Sequence, residues 1–345
     1  MYFSYLLFFA KISVFIYIIL LIFYNSFNMC IVNYIYKRGG VVLDEIIKVL
    51  PFPVAREISN IGSRDGITEI RLRAGKRGVV ISTGIEILMG YVITIKDLLD
   101  VLINISKNSI YAIQNDINNG FVVIKGGHRV GICGEVVLQD GKIRNIKNIN
   151  SMNIRVARQV VGCADKLLPY VISSSHFSNT LIVSPPGCGK TTLLRDLIRQ
   201  ISSGVRVLNF NGVNVGLVDE RGEIASVSNG IVNLDVGMRT DVISNCPKSL
   251  GMEMLVRSMG LSVVATDEIG TKQDISAIEY AALSGVGLVF TMHGKNIEDI
   301  TRKTDIAKLI SQRLFENIVV LSNRKGPGTI ENIYKFKNNK LEVCV

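Results

Sequence analysis

LIVSPPGCGKTT, Leu181–Thr192, is the stretch that decides how this chain folds. Leu181–Val183 reads as a buried apolar strand, and Thr191–Ile201 carries apolar residues at helical spacing. Between them, Gly187 and Gly189 let the backbone turn its N–H groups inward, where a helix N-terminus already favours an anion. A strand, a glycine turn and a helix opening on Lys-Thr form the context of a phosphate-binding loop. Ser184, Pro185, Pro186, Gly187, Cys188, Gly189, Lys190, Thr191 and Thr192 are therefore the candidate nucleotide-binding residues, with ATP and Mg²⁺ the expected ligands. Lys190 is the point charge for the β- and γ-phosphates, and Thr191 the hydroxyl for Mg²⁺. Ser184 stands where the strict pattern has glycine.

Downstream, Leu261-Ser-Val-Val-Ala-Thr-Asp267-Glu268 is a second apolar strand ending in acids. It delivers Asp267 to the carboxyl edge of a sheet, where open α/β sheets bind ligands. Asp267 is read as a metal-holding residue and Glu268 as the group that orients an attacking water. Two further clusters each admit two readings. Asp219-Glu220-Arg221-Gly222-Glu223 orients water or Mg²⁺ and presents Arg221 to phosphate, or it is a solvated turn with a surface ion pair. His293, after the strand Gly287–Phe290, senses the γ-phosphate or is structural. Arg239 is a phosphate-facing, intersubunit or plain surface arginine. Arg195 and Arg199 read as structural or interfacial, and Arg71 and Arg73 project from one face of one strand.

From Thr180 onward apolar strands alternate with helices: Leu181–Val183, Val205–Asn209, Val215–Val218, Ser262–Thr266 and Gly287–Phe290, with helices Thr191–Ile201 and Gln273–Leu283. This pattern predicts a parallel sheet covered on both faces. Residues 44–155 predict a smaller α+β domain. It contains an amphipathic helix over 44–60 broken at Pro51 and Pro53, strands Ile67–Arg73, Val79–Ser82 and Tyr91–Thr94, and helices Ile95–Ile105 and Ser109–Asn118. A hairpin of Phe121–Lys125 and Val130–Val137 turns at Gly126-Gly127. The boundary falls within Asn150–Ser178, and 156–345 form the α/β domain.

Hydrophobic residues make up 48% of the 345 and charged residues 20%, which excludes extended disorder. Six scattered cysteines argue against a zinc site or a disulfide framework. The net charge of +10 suits nucleotide phosphates, nucleic acid or an anionic membrane and selects none of them. Residues 1–43 hold Lys11, Lys37 and Arg38 and no acid. The uncharged run Ile12–Tyr24 is shorter than the ~20 residues a span needs. This hydrophobic extension is either a single-pass membrane anchor or a misread start, with Lys37-Arg38-Gly39-Gly40 a translated ribosome-binding sequence.

EIRLRAGK (Glu69–Lys76), GGHRVGICG (Gly126–Gly134), INSMNIRVAR (Ile149–Arg158), SPPGCGKTTLLRDLIR (Ser184–Arg199), GLVDERGEI (Gly216–Ile224), VGMRTDVI (Val236–Ile243) and ATDEIG (Ala265–Gly270) together resemble the stage III sporulation AA family. That family of endospore-forming bacteria is related to the type II and type IV secretion ATPases. The resemblance covers about residues 44–335. It implies a RecA-like P-loop core behind a smaller N-terminal domain and a homo-hexameric ring. Lys190 with Thr191 match the Walker A pair, and Asp267 with Glu268 the Walker B pair. Asp219–Glu223 matches the acidic box, so Glu220 and Arg221 join Glu268, Lys190 and His293 as candidate catalytic residues; His293 lies where the histidine box lies. The implied place is the mother-cell cytoplasm, peripheral to the membrane. The implied partners are membrane proteins of the channel complex between mother cell and forespore.

Three function classes remain distinct on sequence grounds. A motor ATPase uses the Walker residues for hydrolysis. A nucleic-acid-dependent ATPase shares the core and the positive charge, but no basic–aromatic surface supports it. A scaffold that binds ATP without hydrolysing it conflicts with the intact Asp267-Glu268 pair.

Overall fold

The computed structural model describes residues 41–344, apart from 62–65, 108, 174–175, 229, 303 and 338–339. The readings of the hydrophobic extension concern residues outside these, save that 41–43 open the helix Val41–Ile47. Among the described residues no helix is long and apolar enough to cross a membrane. The described chain forms two compact units: one runs to Ile124 and includes His128–Ala157, and the other comprises Lys125–Gly127 and Arg158 onward.

In the first unit the prolines start a helix rather than break one. Pro51 is the N-cap of Phe52–Ser59, and Pro53 sits in its first turn, where a missing N–H costs no hydrogen bond. Six strands follow: β1 (Ile67–Arg73), β2 (Arg77–Ser82), β3 (Ile85–Val92), β4 (Phe121–Ile124), β5 (His128–Gln139) and β6 (Lys142–Arg155). They form an antiparallel sheet in the order β3-β2-β1-β6-β5-β4. Alternation along β1 sets its faces. Ile70 and Leu72 are fully buried, while Arg71 stands on the other face and pairs with Glu69 at 2.7 Å. The strand expected at Tyr91–Thr94 lies earlier and ends at Val92. Thr94 instead caps the helix Ile95–Ser106 in a reciprocal box with Asp97, a local bond worth about 1 kcal/mol. That helix lays Leu98, Val101 and Leu102 on the core. The expected helix Ser109–Asn118 is a 3₁₀ turn, Ile110–Ile113, leading into Gln114–Asn118.

In the second unit the helix Leu168–Val171 leads into β7 (Ile172–Ser173), which pairs antiparallel with β8 (His176–Phe177). Next come β9 (Thr180–Ser184), β10 (Val215–Asp219), the hairpin β11 (Val227–Ser228) and β12 (Ile231–Val232), β13 (Thr240–Ser244), β14 (Val263–Thr266) and β15 (Gly287–His293). β16 (Asn317–Ser322), β17 (Thr329–Lys337) and β18 (Lys340–Val343) complete it. The main sheet has the order β13-β10-β14-β15-β9-β16-β17-β18. It is parallel through β16 and antiparallel at β17 and β18. Both faces are covered, as continuous apolar strands require. Ile182 packs with Leu193, Leu197 and Ile201 of the helix Lys190–Ser203. Leu181 and Val183 lie in the opposite layer, which holds Met252 and Leu255 of the helix Lys248–Ser258 and Ile275 and Ile278 of the helix Lys272–Leu283.

The strand expected at Val205–Asn209 is not formed. Gly204 ends the preceding helix at φ 96°, and Arg206–Leu208 coil into a 3₁₀ turn. Val205 and Phe210 close it by exchanging backbone bonds of 2.7 and 3.1 Å. A short apolar run does not by itself distinguish strand from turn, and Val207 is in fact 90% exposed. The sheet edge beside β10 is taken by β13, a segment with weaker apolar patterning.

Candidate nucleotide site

Parallel strands all point one way, so the residues ending β9, β10, β14 and β15 meet at one sheet edge. Ser184 pairs with His293 across β9 and β15, and Thr266 of β14 lies level with Phe290 of β15. This register brings Lys190, Asp267, Glu268 and His293 together.

The loop after β9 turns through Gly187 at φ 74° and Gly189 at φ 84°, values that favour glycine. At Gly187, which is exposed, an added Cβ would meet nothing within 4 Å. Lys190 opens the helix and is buried. Its Nζ donates to the carbonyls of Ser184 (3.2 Å) and Pro185 (3.3 Å) and lies 3.1 Å from His293 Nδ1. An ammonium has only donors, so Nδ1 accepts there. Nε2 of the same ring lies 2.9 Å from Glu268 Oε1, to which it donates. Burial lowers the proton affinity of Lys190, against the pull of Glu268, Cys188 and Asp267. Cys188 is buried, Pro186 and Gly187 are exposed, and Thr191 and Thr192 are half-buried in the first helical turn. The Ser184 hydroxyl donates to the Pro185 carbonyl at 2.8 Å, and its backbone is not in the positive-φ region that favours glycine.

Asp267 is 3% exposed. Burial, and then the Asp219 carboxylate, push its pKa up to about 6; Lys248 opposes the shift, and Glu268 and Glu223 add to it. A buried carboxylate crowded by other acids is suited to a divalent cation, which relieves that repulsion. Among the described residues no group of three or more His, Cys, Asp or Glu is arranged to hold a metal. Mg²⁺ with a nucleotide needs none, since one or two carboxylates and the phosphates suffice. Asp267 is a carboxylate of that kind, and Thr191 offers a half-buried hydroxyl in the first turn after the loop.

Glu268 adopts φ 47°, a left-handed conformation uncommon for this residue type. Thr291 holds it there: its hydroxyl accepts the Glu268 N–H at 2.9 Å, and its carbonyl accepts the Ile269 N–H at 2.9 Å. The bend aims the carboxylate at His293 and at Arg221, whose Nη1 is 3.5 Å from Oε2. Arg221 is 62% exposed, so this pair contributes at most about 1 kcal/mol.

The acidic cluster does not act as one group. Asp219 is fully buried, and its carboxylate accepts four backbone N–H bonds, from Glu223, Ile224, Ala225 and Ser226, at 2.8–3.1 Å. Arg195 donates to the carbonyls of Glu223 and Ile224 from the helix below. Asp219 therefore shapes a loop, and neither sequence reading of that cluster anticipated it. Glu220 pairs with Lys248 at 2.9 Å, and Lys248 also acts on the Asp267 carboxylate. Arg239 donates to the Ser202 carbonyl at 2.9 Å, and Arg199 to Asp196 at 2.8 and 2.9 Å, both structural contacts. Lys248 and Thr291 escaped the sequence reading. Lys248 sits in no motif, and Thr291 signals itself only as a hydroxyl two residues before His293.

A family model described as "Sporulation stage III, protein AA" matches residues 43–341. The chain is 39% identical over 301 residues to Stage III sporulation protein AA of Bacillus subtilis (strain 168), covering 87% of this chain and 97% of the relative. It is similar to the pilus retraction motor PilT solved with bound ADP, at TM-score 0.54 and 15% identity over 79% of this chain and 78% of that one. It is also similar to the Legionella pneumophila ATPase DotB, at TM-score 0.51 and 13% identity over 79% and 77%. At such identities the structural likeness is one of fold: the mixed α/β architecture is that of secretion ATPases, as the sequence predicts. On its sequence, this chain belongs to the family Sporulation stage III, protein AA.

Proposed function

We propose that this protein is a Mg²⁺-dependent ATPase that works as a ring, on the resemblance a hexamer, and powers or assembles a transenvelope complex during endospore formation. The observation that carries the enzymatic part is the convergence of Lys190, Asp267, Glu268 and His293 at one sheet edge, beside a loop turned by two positive-φ glycines. ADP in the fold-related PilT supports a nucleotide as ligand.

In this reading Lys190 leaves its two carbonyls and His293 for the β- and γ-phosphate oxygens, joined by the inward N–H groups of Gly187–Thr191. Thr191 and Asp267 would hold Mg²⁺, which would supply charge neutralisation at the phosphates. Glu268 accepts a hydrogen bond from the water that attacks the γ-phosphorus in line as the bond to the β-phosphate oxygen breaks. His293, released by Lys190, keeps its Nε2–H on Glu268 and so orients the carboxylate that receives the water. The ring acts at the mother-cell face of the membrane, and membrane proteins of the channel complex receive the motion.

The test is phosphate release by the purified full chain. Lys190→Ala should abolish ATP binding. Glu268→Gln should bind ATP as the wild type does and lose at least about 100-fold in turnover. Normal turnover in the glutamine variant would assign the water to another group.

A further inference from the structure

The strand order gives the site a direction. Glu268 and His293 lie on the β14–β15 flank of β9, and β16 lies on the other flank, where the nucleoside of a triphosphate would lie if its γ-phosphate sat by Glu268. β16 runs parallel to β9, with Val320 level with Val183, and ends at the same edge. Between it and β17 lies the turn Asn323-Arg324-Lys325-Gly326-Pro327-Gly328.

That turn is fastened to the phosphate loop. The Gly328 N–H donates to the Cys188 carbonyl at 2.8 Å, and a Cβ at Gly189 would lie 2.9 Å from the Gly328 nitrogen. It also holds its own shape: the Gly326 N–H donates to the Asn323 carbonyl, and the Thr329 hydroxyl donates to the Gly326 carbonyl. Of its polar side chains, Arg324 is tied to Glu331 at 2.6 Å. Asn323 and Lys325 are exposed, with no side-chain hydrogen bond or ion pair among the described residues. A carboxamide carries a donor and an acceptor side by side, the pattern that pairs with the N6/N7 edge of adenine.

We infer that the turn Asn323–Gly328 is the nucleoside wall of the site, with Asn323 reading the base and Lys325 drawing in the polyphosphate. This rests on the nucleotide-binding reading above and adds the part of the ligand that the phosphate loop leaves unread.

Calorimetric titration of the full chain with ATP, GTP and inorganic tripolyphosphate tests it. The wild type should bind ATP more tightly than GTP or tripolyphosphate. Asn323→Ala, on an exposed turn, should weaken ATP about tenfold, the loss of one well-placed base contact, and leave tripolyphosphate within twofold. Lys325→Ala should weaken all three ligands, most at low salt. ATP affinity and ATP:GTP preference unchanged in Asn323→Ala would overturn the inference while leaving the phosphate site intact. Equal wild-type affinity for ATP and tripolyphosphate would do the same. A wild type that binds none of the three sinks the nucleotide reading and this inference together.

Discussion

Asp267 is a carboxyl group whose proton affinity is raised on folding, from an ordinary value near 4 to about 6. Between those two values the folded chain holds more protons than the unfolded one, so stability falls as pH rises through the window and is flat above it. Asp267→Asn removes the charge that causes this. The variant should be more stable than the wild type at pH 7, by roughly 1–3 kcal/mol, and no more stable near pH 4. Urea unfolding midpoints at the two pH values measure it, and a gain of equal size at both would sink the explanation. The same variant should lose Mg²⁺-dependent turnover. The convergence of Lys190, Asp267 and Glu268 at one sheet edge was legible in the sequence because each follows an apolar strand in a short local pattern. Lys248 and Thr291 were not, because they reach the site by folding from separate segments. Asp219 was misread for a related cause. An acid after an apolar strand looks solvated on paper, and only the path of Glu223–Ser226 shows four N–H groups turned onto it.

Among the elements, the strand–loop–helix unit around Lys190 was readable because three local signals agree: an apolar strand, glycines at the turn and helical spacing after it. Val205–Asn209 had one signal, apolar content, and Gly204 with a left-handed Asn209 overrode it. The antiparallel addition of β17 and β18 had no signal of its own, since sheet partners are chosen in three dimensions. The phosphate loop and the Asn323–Gly328 turn also constrain each other as elements. Gly189→Ala puts a Cβ against the Gly328 backbone at a φ of 84°. It should cost about 1 kcal/mol in backbone strain alone, and the displaced loop should weaken ATP binding at least tenfold. Calorimetry together with thermal unfolding separates the two effects; normal ATP affinity in a less stable protein would show that the turn can yield.

Taken whole, the chain joins an antiparallel α+β unit to an eight-stranded mixed sheet whose edge gathers the site. If rings turn over in a coordinated way, subunits carrying Lys190→Ala should poison mixed rings. Turnover of wild type mixed with variant should then fall faster than the wild-type fraction, and a straight line would mean that subunits work alone. The resting hold on Lys190 bears on that cooperation. The ammonium is already satisfied by two carbonyls and an imidazole, so an arriving polyanion must evict an internal tenant before it can settle. On the proposed reading, a measured affinity would therefore report the difference between two sets of partners for Lys190. Removing the imidazole loosens that hold: His293→Ala should bind Mg²⁺-free tripolyphosphate about 2–10-fold more tightly, as the loss of one internal hydrogen bond allows. If the proposed ring forms, how readily each site loads would depend on how firmly its own chain holds Lys190.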